Sequence, residues 1–160
     1  IDTEVVEKAC SDHHIPIYRR ESGGGTVILG PGSLNYTIIM PFSPQEIWAS
    51  ISETTTHIMS LHQQALSFFL SDIEVQGVSD LTYKGKKFSG NAQRRKREAF
   101  LFHGTFLYQF DLKLISTHLS IPTKQPDYRQ SRPHHEFVNN IPLSRDQLQQ
   151  ALIQAWQTLK

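Results

Sequence analysis

The chain has 160 residues, 38% of them apolar and 19% charged, with a formal net charge of +1. That is one domain with enough apolar side chains to bury a core, and it excludes a disordered polyampholyte and a nucleic-acid-binding tail. No apolar run reaches the roughly 18 residues that a membrane helix needs, and no secretory signal pattern is present, so a cytoplasmic protein is the default expectation. Cys10 is the only cysteine and cannot form an internal disulfide, in keeping with a reducing compartment.

In chain order, residues 2–14 read as a helix with Val5, Val6, Ala9 and Cys10 as its apolar stripe. Residues 17–20 and 26–29 read as short strands on either side of Gly23, Gly24 and Gly25. Gly30-Pro31-Gly32 marks a turn, and residues 34–40 form the next strand, with Leu34, Tyr36 and Ile38 on one face and Asn35, Thr37 and Ile39 on the other. Ser43-Pro44-Gln45-Glu46 gives a capped start to a long helix reaching about residue 70, weakened in its middle by Thr54, Thr55 and Thr56.

From residue 73 the period returns to two. Lys84-Gly85 marks a hairpin, and strands over residues 87–94 and 99–110 follow. Asp111 can cap a short helix to residue 118. Residues 121–132 are polar, hold Pro122 and Pro126, and read as an extended loop. Ser144 caps a last helix with Leu148, Leu152, Ala155, Trp156 and Leu159 on its apolar side. The expected fold is α+β, a mixed and mainly antiparallel sheet with helices packed on it, in a single domain spanning residues 1–160.

Three segments carry chemistry. The first, Arg20 to Thr26, holds three successive glycines whose peptide N–H groups can meet an anion; a flexible hairpin loop is the plainer alternative. It is neither a dinucleotide fingerprint nor a P-loop. In the second, Lys87-Phe88-Ser89-Gly90-Asn91-Ala92, the glycine interrupts a strand and suggests a bulge or a close approach. Lys87 is either a cation for a carboxylate or phosphate, or a surface lysine. The third, His103-Gly104-Thr105, lies inside an apolar strand where an immediate neighbour needs the space of the missing side chain. His103 stays open between an acid/base group, a core histidine and a pocket wall.

Seven of the sixteen Lys and Arg residues lie between Lys84 and Arg97, a patch for phosphate, nucleotide or an acidic partner, or a solvated hairpin. No aromatic platform or recognition helix accompanies it, so nucleic acid is not an expected partner. The His13-His14 and His134-His135 pairs lack a metal-ligand spacing.

Taken together and in order, residues 19–26 (RRESGGGT), 30–36 (GPGSLNY), 79–81 (SDL), 86–93 (KKFSGNAQ) and 103–105 (HGT) resemble the biotin/lipoate protein ligase superfamily, in its lipoate-protein ligase A-like branch. The resemblance implies a two-step reaction. ATP and lipoate, or octanoate, give an acyl-adenylate, and the acyl group passes to a lysine of a lipoyl-domain acceptor such as a 2-oxoacid dehydrogenase E2 subunit or the glycine cleavage H protein.

The resemblance also implies roles. Lys87 would contact the reacting carboxyl or acyl-phosphate oxygens, and Asp80 would hold Mg²⁺. Arg20 would neutralise phosphate while Ser22, Gly23, Gly24 and Gly25 close over the acyl chain. Asn35 and Asn91 would orient substrate or loop backbone, with Gly90, Ala92, His103, Gly104 and Thr105 lining the pocket. Relatives that carry the acyl group on a cysteine offer the alternative of a lipoyl or octanoyl transferase or amidotransferase, and a noncatalytic ligand-binding homologue is a further one. Cys10 matches no nucleophile position of those transferases. Against the family pattern, Leu29-Gly30 stands where many relatives have His-Asp. The opening strand-helix-strand unit and the accessory C-terminal domain are also missing from the pattern, which raises the expectation that residues ahead of Ile1 or a companion subunit complete the fold.

Overall fold

The computed structural model describes residues 4–41, 48 and 50–157. Its strands are β1 (Ser33–Pro41), β2 (Ile73–Gln76), β3 (Asp80–Tyr83), β4 (Lys86–Arg95) and β5 (Ala99–Leu107). They form one sheet in the order β1-β5-β4-β3-β2. Every pairing between these strands is antiparallel, in keeping with the expected mainly antiparallel sheet, and a single parallel bridge, Lys87 to Val138, lies outside them. The helices are α1 (Glu7–Asp12), α2 (Ile51–Ser67), α3 (Lys113–His118), α4 (His134–Phe137) and α5 (Arg145–Gln157).

Strand β1 alternates as its sequence predicts: Leu34, Tyr36, Ile38 and Met40 pack on the main core while Asn35, Thr37 and Ile39 are exposed. On that same face β3, β4 and β5 contribute Leu81, Phe88, Phe100, Phe102 and Phe106, covered by Ile58, Met59 and Leu66 of α2 and Leu148 and Ala151 of α5. Burying side chains of this size stabilises by about 1.5–3 kcal/mol each, which makes this face the anchor of the fold. A second cluster, Leu107, Phe110, Ile115, Phe137 and Val138, joins the end of β5 to α3 and α4.

Turn and cap chemistry follows the sequence in several places. Lys84 and Gly85 both have positive φ (52° and 73°), as a two-residue turn matching the twist of the β3–β4 hairpin requires. Ser144 Oγ accepts from Gln147 N–H (3.2 Å) while Gln147 Oε1 accepts from Ser144 N–H (2.9 Å), closing a capping box on α5. Asp111 Oδ1 accepts from Lys113 N–H (3.0 Å) at the start of α3.

Other expectations are corrected. Residues 17–20 and 26–29 join no strand, and Ile17, Tyr18, Val27 and Leu29 stay exposed: β-branched and aromatic content suits a strand but does not supply a partner to pair with. The first helix is shorter than residues 2–14, and Val5 bridges Leu119 instead. The loop at 121–132 contains a 3₁₀ turn over Asp127–Arg129.

The cap at Ser43 to Glu46 lies outside the described residues. Helix α2 is capped at Ser50, whose Oγ accepts from Glu53 N–H (3.0 Å) and donates to Glu53 Oε2 (2.7 Å). The threonines therefore stand in its first two turns, where Thr54 and Thr55 donate to the carbonyls of Ser50 and Ile51. Ser50→Ala is expected to cost about 0.5–2 kcal/mol, read as a lower urea midpoint at unchanged slope; an unchanged midpoint would remove the cap from the account.

Candidate active site

A bulge in β4 builds the site. Ser89 pairs with Leu81 and Lys87 with Thr82, so Phe88 is the extra residue. The extra residue breaks the alternation of faces, and Lys87 and Gly90, three positions apart, come onto the same face. Lys87 Nζ then reaches Asp80 Oδ1 at 2.7 Å, and Asp80 pairs directly with Gly90. A Cβ at position 90 would lie 3.0 Å from Lys87 Cε and 3.1 Å from Nζ, so the glycine makes the channel that the lysine lies in.

The register extends this face across the sheet. Asp80, Gly90, Thr105 and Asn35 form one row through four strands, and Ala92, His103 and Thr37 form the next. Both rows lie on the side away from the α2–α5 core. Thr105 Oγ1 donates to Asn35 Oδ1 (2.8 Å). The glycine segment arrives over the second row, where Ser22 Oγ is hydrogen-bonded to His103 Nε2 (2.5 Å). Burial, and then the charge of Arg20, lower the pKa of His103 and favour its neutral form.

Arg20 turns back onto its own loop: Nη2 donates to the carbonyls of Gly23 and Gly25, each at 2.7 Å. Burial lowers its pKa and the charge of Glu4 opposes that shift. Glu4 Oε2 also accepts from Thr26 N–H (2.6 Å), so two side chains brace the glycine loop.

Asn91 and Gly104 stand on the opposite, core-facing side. Tyr36 Oη donates to Asn91 Oδ1 (2.5 Å), and Asn91 Nδ2 donates to Ser79 O (2.7 Å) and Ser89 Oγ (3.2 Å); Ser79 Oγ donates to Asn91 O (2.8 Å). Asn91 thus orients the backbone that leads into Asp80. Any Cβ on Gly104 would overlap the Asn91 carboxamide, the close neighbour that the glycine in an apolar strand foretold.

The structure brings Lys87, Asp80, Gly90, Ala92, Asn35, His103 and Thr105 onto one face with Ser22 and its glycine loop, and sets Asn91 and Gly104 beneath them. Sequence reasoning missed Glu4, Tyr36 and Ser89 as parts of this framework, and Tyr128, whose Oη donates to Asp80 Oδ2 (2.7 Å). Tyr36 and Ser89 lie within the matched motifs, but nothing local in the chain marks Glu4 or Tyr128.

The basic stretch does not act as a unit. Arg95 turns inward, with Nη1 on Thr54 Oγ1 (3.1 Å), Nη2 on Trp48 O and the guanidinium over the Phe100 ring, while Lys84, Lys86, Arg94, Lys96 and Arg97 are exposed. Cys10 is buried in α1. No helix among the described residues is long and apolar enough to cross a membrane.

Fold and site together define an α+β domain in which a lysine–carboxylate pair and a glycine loop share one face of an antiparallel sheet. The chain belongs to the lipoyl protein ligase A/B catalytic domain family, which matches residues 1–157. It is 32% identical over 111 residues to a probable lipoate-protein ligase A of Mycoplasma pneumoniae, covering 67% of this chain and 30% of that protein. It is 25% identical over 159 residues to the octanoyltransferase LipM of Oceanobacillus iheyensis, covering 88% of this chain and 57% of that protein.

Among solved structures the fold is similar to a bi-partite lipoate protein ligase studied with its E2 lipoyl domain from Thermoplasma acidophilum (TM-score 0.82, 23% identity, 98% of this chain and 62% of that one). It is also similar to a lipoate-protein ligase A bound with ATP (TM-score 0.79, 24% identity, 97% and 63%). The chain spans about a third of the length of the first two curated relatives, 30% and 34%.

Proposed function

We propose that this domain activates lipoate or octanoate with ATP and passes the acyl group to a lysine of a lipoyl-domain protein. The observation that carries the reading is Lys87, an ammonium held at 2.7 Å from Asp80 on the sheet face that the glycine loop overhangs. In the first step a carboxylate oxygen of the acid attacks the α-phosphorus and pyrophosphate leaves. In the second the acceptor lysine amine attacks the acyl carbonyl, losing a proton as AMP departs. Both steps concentrate negative charge on oxygen, so a placed cation and aligned N–H donors matter more than a protein nucleophile. Lys87 supplies that cation when its ammonium turns from Asp80 to the reacting carboxyl.

Mg²⁺ is usually held by one or two carboxylates together with substrate phosphates. Asp80 is one such oxygen donor, and no group of three or more His, Cys, Asp or Glu side chains gathers among the described residues. The donor set offered is therefore Asp80, which together with the phosphates of ATP would hold the ion. When bound, it would neutralise phosphate charge. Ser22 and Gly23 to Gly25 close over the acyl chain, with Ala92, His103 and Thr105 as the floor. The acceptor is a lipoyl domain of a 2-oxoacid dehydrogenase or the glycine cleavage H protein.

ATP–pyrophosphate exchange that depends on lipoate or octanoate tests the first step; its absence with both acids contradicts it. The octanoyltransferase relative favours a second reading, transfer from an acyl carrier through an enzyme thioester. Cys10, the only cysteine, is 4% exposed inside α1, an environment of a small core side chain rather than of a reactive thiolate. Cys10→Ser is expected to leave acyl transfer within about twofold of wild type, at a stability cost of about 1 kcal/mol. Loss of transfer in a folded Cys10→Ser protein would establish the thioester route.

A further inference from the structure

The segment between α3 and α4 reads as a polar, proline-containing loop, and nothing in the motifs gives it a part in the chemistry. In the structure it delivers one side chain into the centre. Tyr128 Oη donates to Asp80 Oδ2 at 2.7 Å while Asp80 Oδ1 holds Lys87 Nζ at 2.7 Å, so the carboxylate is shared between a phenol and an ammonium.

Tyr128 is fixed from several sides. Its ring packs on Phe137 (centroids 5.2 Å apart) and lies against Gly77, where a Cβ would come within 3.3 Å of Cε1. Its carbonyl accepts from Arg132 Nη2 (2.8 Å), and Arg129 and Arg132 clip the turn by donating from Nε to each other's carbonyls (3.0 and 3.1 Å). Both guanidinium groups sit over the Phe137 ring, at 4.6 and 5.5 Å. Burial, and then the charge of Asp80 and the hydrogen bond to it, push the phenol pKa well above its ordinary value, so Tyr128 stays protonated and donates.

We propose that Tyr128 is a positioning residue for the Asp80–Lys87 pair, and that the 3₁₀ turn carrying it belongs to the active site. Its catalytic consequence rests on the adenylation reading above; the three-group chain rests on geometry alone. A carboxylate with both oxygens free swivels, chelates a neighbouring ammonium and follows it when it moves. With Oδ2 tied to the phenol, Asp80 cannot follow Lys87 toward a substrate carboxyl. The hydrogen bond also draws negative charge toward Oδ2 and loosens the hold on the amine. Tyr128 thereby sets how readily Lys87 is released to the substrate.

Tyr128→Phe keeps the ring against Phe137 and Gly77 and removes only the hydroxyl. The expected result is a fall of about tenfold in kcat for adenylate formation, with KM for ATP and for lipoate within about twofold and the melting temperature nearly unchanged. In an Asp80→Ala background the same substitution should add nothing further, because its effect runs through Asp80. An equal loss in both backgrounds overturns the proposal.

A second measurement does not depend on the reaction. In competitive labelling with acetic anhydride, read by mass spectrometry, Tyr128→Phe should slow acetylation of Lys87 severalfold relative to Lys84 and Lys86, and not in the Asp80→Ala background. Unchanged Lys87 labelling in Tyr128→Phe overturns the positioning role. Slower Lys87 labelling in Tyr128→Phe of a protein that forms no adenylate would support the positioning role and remove the adenylation reading instead, whereas faster labelling would overturn the positioning role.

Discussion

Lys87→Ala is expected to abolish adenylate formation, by about two to three orders of magnitude in kcat, while the protein keeps its fold. The ammonium is the cation that the β4 bulge brings beside Asp80, and none of Asp80, Gly90, Thr105 and Asn35 in the adjoining row carries a positive charge. Removing it leaves the Asp80 carboxylate with Tyr128 and solvent. The pair is partly exposed (28% and 12%), so the stability cost should stay at roughly 1–3 kcal/mol. Lys87→Arg should fail nearly as badly, since a planar guanidinium cannot replace a compact ammonium in the narrow channel over Gly90. The assay is lipoate-dependent ATP–pyrophosphate exchange alongside a thermal melt. Exchange at the wild-type rate in the alanine variant would end the role given to Lys87.

The second large effect is expected at Gly104, which touches no reacting group. A methyl there overlaps the Asn91 side chain and crowds the Tyr36 ring. Asn91 would lose its place between Tyr36 Oη and the Ser79 carbonyl, and the segment that leads into Asp80 would shift with it. Overpacking of this kind costs about 1–3 kcal/mol, with a further penalty for polar atoms left unpaired. Gly104→Ala should therefore lower the melting temperature by several degrees and depress adenylation about tenfold or more. Asn91→Ala in the same chain should relieve part of the stability loss by vacating the space. A Gly104→Ala protein with wild-type melting temperature would show that the close approach is dispensable.

Much of the helix-and-sheet alternation was legible in the sequence, because caps, turns and faces are local. Ser144 with Gln147, the Lys84-Gly85 turn and the Leu34, Tyr36, Ile38 face of β1 each declare themselves within a few residues. Ser50 and Glu53, the cap of α2, carry the same spacing as Ser43 and Glu46. Residues 17–20 and 26–29 misled because their composition suits strands, whereas pairing depends on a neighbour that local sequence does not reveal.

The site was legible as a set of motifs but not as an arrangement. Gly90 signalled a bulge or a close approach, yet only the pairing of Ser89 with Leu81 and of Lys87 with Thr82 shows that Lys87 joins its face. Tyr128 meets Asp80 across 48 residues, in a loop whose prolines and polar residues give no hint of it. The dense run of basic residues promised one surface, but the strand alternation and the bulge send Lys87 and Arg95 to different neighbours.

The proposed reaction is ATP-driven acylation of a lipoyl domain. The most direct measurement is intact mass spectrometry of an apo lipoyl domain incubated with the purified protein and lipoate, with and without ATP. A lipoyl mass increment on the acceptor lysine that appears only with ATP is the predicted result. An increment that forms without ATP from an acyl-carrier donor, or no increment with lipoate or octanoate in the presence of ATP, would contradict it.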